Sequence, residues 1–260
     1  MSSPVLAGLE RLIYIDITNI LSLLGALYLW LTFITFSLVS RRYSKTFKEK
    51  THWQFLVLFP LGLLLYITVQ AYDYGFGGGV TPTVRLISYL LMPISGFFVL
   101  IATEKFADLN ERLNTRESKK SQLKLNYFLI LVPAFVVLLM LILGIWVGTP
   151  LLTTLAYMGF IFLAMALLRY SLIVRSWVMK MKKPMITWQL LFIGVISIIV
   201  AVIFHMVGYS QSIPYMDSNL ATYYWSFNCR TIAFSFLAIG GILASIGGWL
   251  FYEMKLLKKY

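Results

Sequence analysis

Seven long apolar stretches, separated by short segments that carry most of the charge, constrain the fold of this chain more than any other feature. A bilayer core of about 30 Å needs roughly 20 apolar residues per helix, and each stretch reaches that length without the alternation of a membrane strand. With 60% hydrophobic and 12% charged residues, the chain is too apolar for a water-soluble core of its size. We therefore predict an all-α integral membrane protein with a single seven-helix transmembrane domain over residues 1–260. The predicted spans, numbered 1 to 7 in chain order, are 15–40, 53–73, 85–104, 126–147, 151–175, 186–209 and 227–252.

The distribution of lysine and arginine predicts the orientation of this bundle. Of the 22 basic residues, all but Arg11, Arg85 and Arg230 lie in alternate connecting segments or in the C-terminal tail. Alternate segments face the same side, so the N-terminus is predicted outside and the C-terminus in the cytoplasm, with the protein in the plasma membrane. This bias and contact with anionic lipids explain the net charge of +12, so we expect no nucleic-acid partner. The longest basic segment, 104–125, is a candidate surface for a protein partner or simply the solvated end of span 3.

Two parts of the chain resemble each other in sequence, which is the signature of an internal repeat. Lys48–Tyr74 aligns without gaps onto Lys183–Tyr209 and shares the pattern Trp-Gln-x-Leu, and the start of span 3 at Arg85 aligns with the start of span 7 at Arg230. These matches favour a parallel 3+1+3 repeat, in which spans 1–3 correspond to spans 5–7 and span 4 reverses the direction. Chance similarity between apolar helices is the alternative.

This plan resembles the three-plus-one-plus-three seven-helix proteins, which include the microbial rhodopsins and the SWEET-type sugar transporters. The resemblance rests on helix count, orientation and repeat. Span 7 contains no lysine that could form a retinal Schiff base, and the chain lacks the Pro-Gln pairs typical of SWEET-like carriers. The resemblance therefore implies an architecture and no particular family.

Polar side chains are costly in lipid and usually face the interior of a bundle or a cavity. Here they gather toward the predicted outer ends of the spans, where two arginines begin spans 3 and 7 and could hold an anionic group. Asp16, Asp73 or Asp217 could pair with these arginines when no ligand is bound. The alternative interpretation is that the arginines reach the lipid interface and that the aromatic residues form a membrane belt. The predicted ligand site comprises Arg85, Arg230, Gln70, His205, Asp73, Asn228, Tyr74 and Tyr209.

The sequence carries no recognisable motif for catalysis or cofactor binding. His52 and His205 lie at different predicted depths, which disfavours haem, and we expect no catalytic residue, metal or cofactor. The middle of the spans is nearly empty of titratable groups, which argues against an ion-coupled carrier. The favoured function is a receptor-like or transport-related protein that binds a small ligand, such as an anion, at an outward-facing polar and aromatic mouth. A non-catalytic structural subunit of a larger membrane complex is the main alternative, and an enzyme acting on lipid is the other.

Overall fold

A computed structural model describes most of the chain, and the regular structure of the described residues is helical throughout. Helical turns at Leu9–Arg11 and a π-helical segment at Leu12–Ile17 lead into the first long helix. The described residues are 9–75, 80–115, 134–135, 137–139, 141–142, 145, 151–183, 185–212 and 220–256. The longer helices are Thr18–Phe47, Trp53–Leu58, Leu61–Gly75, Pro82–Thr115, Leu151–Met181, Ile186–Ser212 and Leu220–Leu256.

Six of the predicted spans correspond to helical segments that are long and apolar enough to cross a membrane. The prediction of an all-helical, multi-pass chain in contact with lipid is therefore confirmed. Span 4, predicted at 126–147, lies outside the described residues except for scattered helical positions, so the count of seven stays a prediction. The six segments are Leu12–Phe47, Trp53–Asp73, Pro82–Arg112, Thr153–Met181, Ile186–Gly208 and Trp225–Met254.

Spans 1, 3 and 5 continue as helices beyond their predicted ends, as far as Phe47, Thr115 and Met181. Hydropathy falls where the charged residues begin, whereas the backbone hydrogen bonds of a helix continue as long as polar side chains find partners. The charged ends of spans 3 and 5 meet, as the ion pair between Glu111 and Arg169 shows, and Arg112 of span 3 pairs with Glu49 in the segment after span 1. We call this end of the bundle the basic end and the opposite end the mouth end.

Span 2 is interrupted at Pro60, as expected for a residue without a backbone N–H. The interruption leaves the carbonyl oxygen of Val57 available, and the indole N–H of Trp30 in span 1 donates to it at 2.9 Å. The Trp30 side chain thus gives the Val57 carbonyl a hydrogen bond that lipid tails could not supply. Pro93, by contrast, lies inside the unbroken helix of span 3.

The six described spans pack in a ring whose order is 1, 2, 3, 5, 6, 7 and back to 1. Glycines allow the closest approaches. A Cβ atom at Gly241 of span 7 would lie 2.6 Å from the carbonyl oxygen of Gly25 in span 1. A Cβ atom at Gly96 of span 3 would likewise meet the carbonyl oxygen of Gly159 in span 5. Small residues therefore bring the helix backbones into contact at these two crossings, as in other membrane bundles.

Large aromatic and aliphatic side chains fill the inside of the ring, and Phe33, Phe106 and Tyr170 are fully buried there. Large apolar side chains such as Ile203 and Trp249 are about half exposed on its outside. This distribution is the one expected where lipid tails replace water as the solvent.

Candidate functional site

Arg85 and Asp73, two of the predicted site residues, form an ion pair at the mouth end. Nη2 of Arg85 lies 2.8 Å from Oδ1 and 2.6 Å from Oδ2 of Asp73. The helix of span 3 begins at Pro82, a residue suited to the first helical turn, and this start holds Arg85 beside the end of span 2. The Arg85 side chain is 46% exposed, so the pair is at the surface. The carboxylate of Asp73 already balances the positive charge of Arg85.

Arg230 lies in a different environment, because it is only 5% exposed. Its Nη2 donates to Oδ1 of Asn19 at 2.6 Å and its Nη1 donates to the carbonyl oxygen of Tyr14 at 3.2 Å. The guanidinium carbon lies 5.4 Å from the centre of the Phe234 ring. Asn19 in turn donates to the carbonyl oxygen of Ala71 at 3.0 Å. Arg230 therefore joins span 7 to span 1 and, through Asn19, to span 2.

Gln70 is buried between spans 2 and 3. Its Nε2 donates to the hydroxyl of Tyr89 at 2.7 Å. The Tyr89 ring meets the ring of Tyr66 edge-on, with centres 5.2 Å apart and an interplanar angle of 87°. Gln70 thus acts on the bundle interior indirectly, by holding the two tyrosines in place.

His205 is held by a hydrogen bond between spans 6 and 5. Its Nδ1 lies 2.7 Å from the hydroxyl of Tyr157, with donor and acceptor set by the tautomer. Its ring also lies 5.4 Å from that of Phe234, at an angle of 64°. The three side chains together form one wall of a cavity.

This cavity lies within the ring of spans. The space inside it that a water-sized group can occupy is about 20 Å³, so a larger molecule enters only when the surrounding side chains or spans move apart. Most lining side chains are apolar, and only those of His205, Tyr157 and Tyr66 contain a polar atom. The lining residues are Tyr66, Tyr157, Phe160, Ala201, Val202, His205, Ala233, Phe234 and Leu237.

The structure brings only part of the predicted site to this cavity. Asn228 is exposed, and the side chains of Tyr74 and Tyr209 lie outside the described residues. The sequence did not single out Tyr157, because an aromatic residue within a span looks the same whether it faces lipid or a cavity. Its hydroxyl was the available signal, since a polar atom in a span needs a partner. Of the predicted residues with described side chains, His205 lines the cavity, whereas Arg85, Asp73, Gln70, Arg230 and Asn228 do not.

A second polar cluster lies at the basic end and was not predicted. Glu104 is 1% exposed, and its Oε2 accepts a hydrogen bond from Nε of Arg169 at 3.3 Å. Nη2 of Arg169 also donates to Glu111 at 2.6 Å. Glu104 is the last residue of predicted span 3 and lies within the apolar segment Pro82–Arg112, so this buried carboxyl group is near the basic end of the span and not in its middle.

This cluster includes residues from the first part of the predicted partner surface, 104–125, and these residues contact other parts of the same chain. Arg112 donates to both carboxylate oxygens of Glu49, at 2.6 and 3.2 Å. The indole N–H of Trp177 donates to Oδ1 of Asn110 at 2.8 Å. Side chains of the part 104–112 therefore contact span 5 and the segment after span 1, and the side chains of residues 113–125 lie outside the described part of the chain.

Searches against protein-family models, curated proteins and solved structures found no match for this chain. Its function must therefore be argued from its own geometry.

Proposed function

We propose that this chain is a receptor-like or transport-related membrane protein that binds a small ligand in the cavity beside His205, without catalysing a reaction. The observation that carries this proposal is an apolar, aromatic cavity whose wall contains one histidine–tyrosine hydrogen bond. Ligand sites are typically apolar with a few polar groups that fix orientation. The lining suits a small, mainly apolar or aromatic molecule with one hydrogen-bonding group that reaches His205 or Tyr157, and such a molecule fits once the surrounding spans move apart.

A neutral ligand agrees better with this geometry than an anion bound by the two arginines. Arg85 would have to leave Asp73, and Arg230 would have to leave Asn19 and the backbone of Tyr14. Each exchange trades existing charged contacts for new ones. A neutral ligand in the cavity requires neither exchange.

The full topology is part of the same proposal. We propose seven spans, an outer N-terminus, a cytoplasmic C-terminus and a plasma-membrane location with anionic lipids at the basic end. Two arginine–tryptophan contacts at that end support this orientation. The guanidinium of Arg41 lies 4.8 Å from the Trp53 ring, and that of Arg175 lies 5.3 Å from the Trp188 ring. Tryptophan is typical of the lipid interface, and arginine of its cytoplasmic side.

The alternative function, a structural subunit of a larger complex, would need an outer surface suited to close helix contact. In the described part of span 7, the small residues Gly240, Gly241 and Gly248 face spans 6 and 1 of the same chain. The described exterior instead presents large aliphatic side chains. These observations favour a bundle surrounded by lipid over one built to pack against a partner helix.

The proposed 3+1+3 repeat explains why the cavity lies in the second half of the ring. The alignment of span 2 with span 6 puts Ala201 in the place of Tyr66, and His205 in the place of Gln70. Tyr66 is 2% exposed and fills its position with a phenol ring. Alanine at the equivalent position leaves that volume empty.

The substitution Ala201→Phe tests this proposal, because the added ring occupies the cavity. Thermal unfolding of the purified protein in detergent should show stabilisation of the natural chain by added indole or phenol, and none of the variant. Ile203→Phe is the matched control, since this residue of the same helix is 52% exposed on the lipid side. It should respond to indole as the natural chain does. Equal stabilisation of natural and Ala201→Phe protein, or no effect of either compound on the natural chain, would contradict the proposal.

A further inference from the structure

Equivalent residues of the two halves make equivalent contacts. We call spans 1–3 the N-terminal unit and spans 5–7 the C-terminal unit. The alignment places Gly96 on Gly241. When it is extended into span 1, with one residue more in the connection after span 5 than in the connection after span 1, it places Gly25 on Gly159. The crossing of Gly25 with Gly241 and that of Gly159 with Gly96 are therefore the same contact made twice.

Aromatic contacts at the basic end repeat in the same way. The alignment places Tyr43 on Trp177 and Phe106 on Phe251. Tyr43 meets Phe106 edge-on at 5.4 Å and 90°, and Trp177 meets Phe251 at 6.1 Å and 80°. Tyr43 and Trp177 also contact each other, with ring centres 5.4 Å apart. Two equivalent residues touch each other only beside the axis that relates the units.

Phe36 and Tyr170 are a second equivalent pair in contact, and their rings stack at 4.0 Å and 9°. A pseudo-twofold axis along the membrane normal therefore passes between spans 1 and 5. Tyr170 follows the cavity residue Phe160 by about 15 Å along the helix of span 5, toward the basic end. The stack on the axis thus separates the cavity from the basic end.

Polar contacts join the two units at this end. Arg169 of the C-terminal unit contacts Glu104 and Glu111 of the N-terminal unit. Among the described residues, the other oxygen of Glu104, Oε1, is buried without a hydrogen-bond partner. A buried carboxylate oxygen without a hydrogen-bond partner costs free energy. The contact between Arg169 and Glu104 therefore carries a free-energy cost, which would be removed if the two units separated at the basic end and exposed this oxygen to water.

We infer that the two units rock against each other and carry the ligand of the cavity from one end of the bundle to the other. This inference rests on the proposed function and selects transport over a receptor role. The two glycine crossings are equivalent, so they lie at the same depth on opposite sides of the axis, and the line between them is the pivot. In the structure described here, Arg169 and the Phe36–Tyr170 stack close the basic end. Release of Arg169 separates spans 3 and 5 there and narrows the mouth end.

Distances between spin labels in lipid nanodiscs test this motion at both ends. Cysteines replace Lys45 and Met179 at the basic end, or Tyr72 and Val207 at the mouth end, in a Cys229→Ala background. The residues of each pair are equivalent in the two units, and all four are exposed. Pulsed electron-spin measurements then report the separation of the units at each end.

The variant Arg169→Gln should lengthen the basic-end distance and shorten the mouth-end distance by several ångströms. Arg175→Gln is the control, because Arg175 lies on the same helix but contacts Trp188 of its own unit, and both distances should stay unchanged. If Arg169→Gln does not fold, Glu111→Gln removes the exposed half of the contact and should shift both distances in the same directions. Unchanged distances, or an increase at both ends, would overturn the inference. Stabilisation by indole, measured on the same samples, distinguishes the two proposals. If indole stabilises the protein but the distances do not change, only transport is contradicted. If indole does not stabilise the protein, the ligand site itself is contradicted.

Discussion

Replacing Arg230 and Arg85 separately by methionine tests how differently the two arginines are used. Both begin a span, both are equivalent in the proposed repeat, and both belong to the predicted anion site. In the structure, Arg230 is 5% exposed and donates to Asn19 and Tyr14, whereas the Arg85 side chain is 46% exposed beside Asp73. Methionine is apolar and flexible, so it fills much of the same space without the hydrogen bonds.

The expected losses follow from these environments. Hydrogen bonds to charged groups contribute about 1.5 to 3 kcal/mol each in soluble proteins, but hydrogen bonds between membrane helices average about 0.6 kcal/mol. Arg230 makes two such bonds between helices, so Arg230→Met should lower the free energy of unfolding by about 2 to 4 kcal/mol. An exposed ion pair contributes about 0 to 1 kcal/mol, so Arg85→Met should cost less than about 1 kcal/mol.

Equilibrium unfolding in mixed micelles of mild detergent and dodecyl sulfate measures both values. Asn19→Leu completes a double-mutant cycle with Arg230→Met, and their coupling should lie between about 0.5 and 3 kcal/mol because the two residues touch. The reasoning is refuted if the two methionine variants lose equal stability, or if Arg230 and Asn19 prove additive. Either result would mean that Arg230 does not hold spans 1 and 7 together.

Three further substitutions follow from local contacts, each measured by the same unfolding assay. Gly25→Ala should lower the free energy of unfolding by about 1 to 3 kcal/mol, because its Cβ would lie 2.8 Å from the backbone of span 7. Gly75→Ala, whose Cβ would have its nearest neighbour at 3.6 Å, should be neutral or slightly stabilising. Equal effects of the two substitutions would argue against a close glycine crossing. Trp30→Phe should lower the free energy of unfolding by about 1 kcal/mol, because it removes the hydrogen bond to the carbonyl oxygen of Val57 near Pro60. An unchanged unfolding midpoint would argue against that bond. Phe36→Ala should lower the free energy of unfolding by about 3 to 5 kcal/mol because the ring is fully buried, and a loss below about 1 kcal/mol would place the core elsewhere.

The spans could be predicted from the sequence because their determinants are local. Apolar length defines a membrane helix, and the missing N–H of Pro60 defines the interruption of span 2. The ends were less accurate, since hydropathy falls at the first charged residues while the helix of span 3 continues to Thr115. Glu104 was missed because its burial depends on Arg169, a residue of another span that hydropathy along the chain does not reveal.

The residues of the proposed ligand site were only partly predictable, because the use of a polar residue depends on its neighbours in space. Arg85 has a carboxylate within reach, and Arg230 has the side-chain oxygen of Asn19, which comes from the other end of the chain. His205, which lines the cavity, was singled out because a histidine within a span is conspicuous. Ala201 was not, because its contribution is the volume that it leaves empty.

The polar contacts between the two units are distributed asymmetrically, and this bears on how the bundle would move. Among the described residues, the seam between spans 1 and 7 has its polar contacts at the mouth end, where Arg230 meets Asn19 and Thr18 meets Thr231. The seam between spans 3 and 5 has its ion pairs at the basic end, around Arg169. Glycine crossings between these ends keep the backbones in contact on both seams. Since the polar contacts described here for each seam lie at one end, the units can separate at that end while the glycine crossing still joins them. A rigid structural subunit has no need of this arrangement, whereas a carrier that opens alternately at its two ends depends on it.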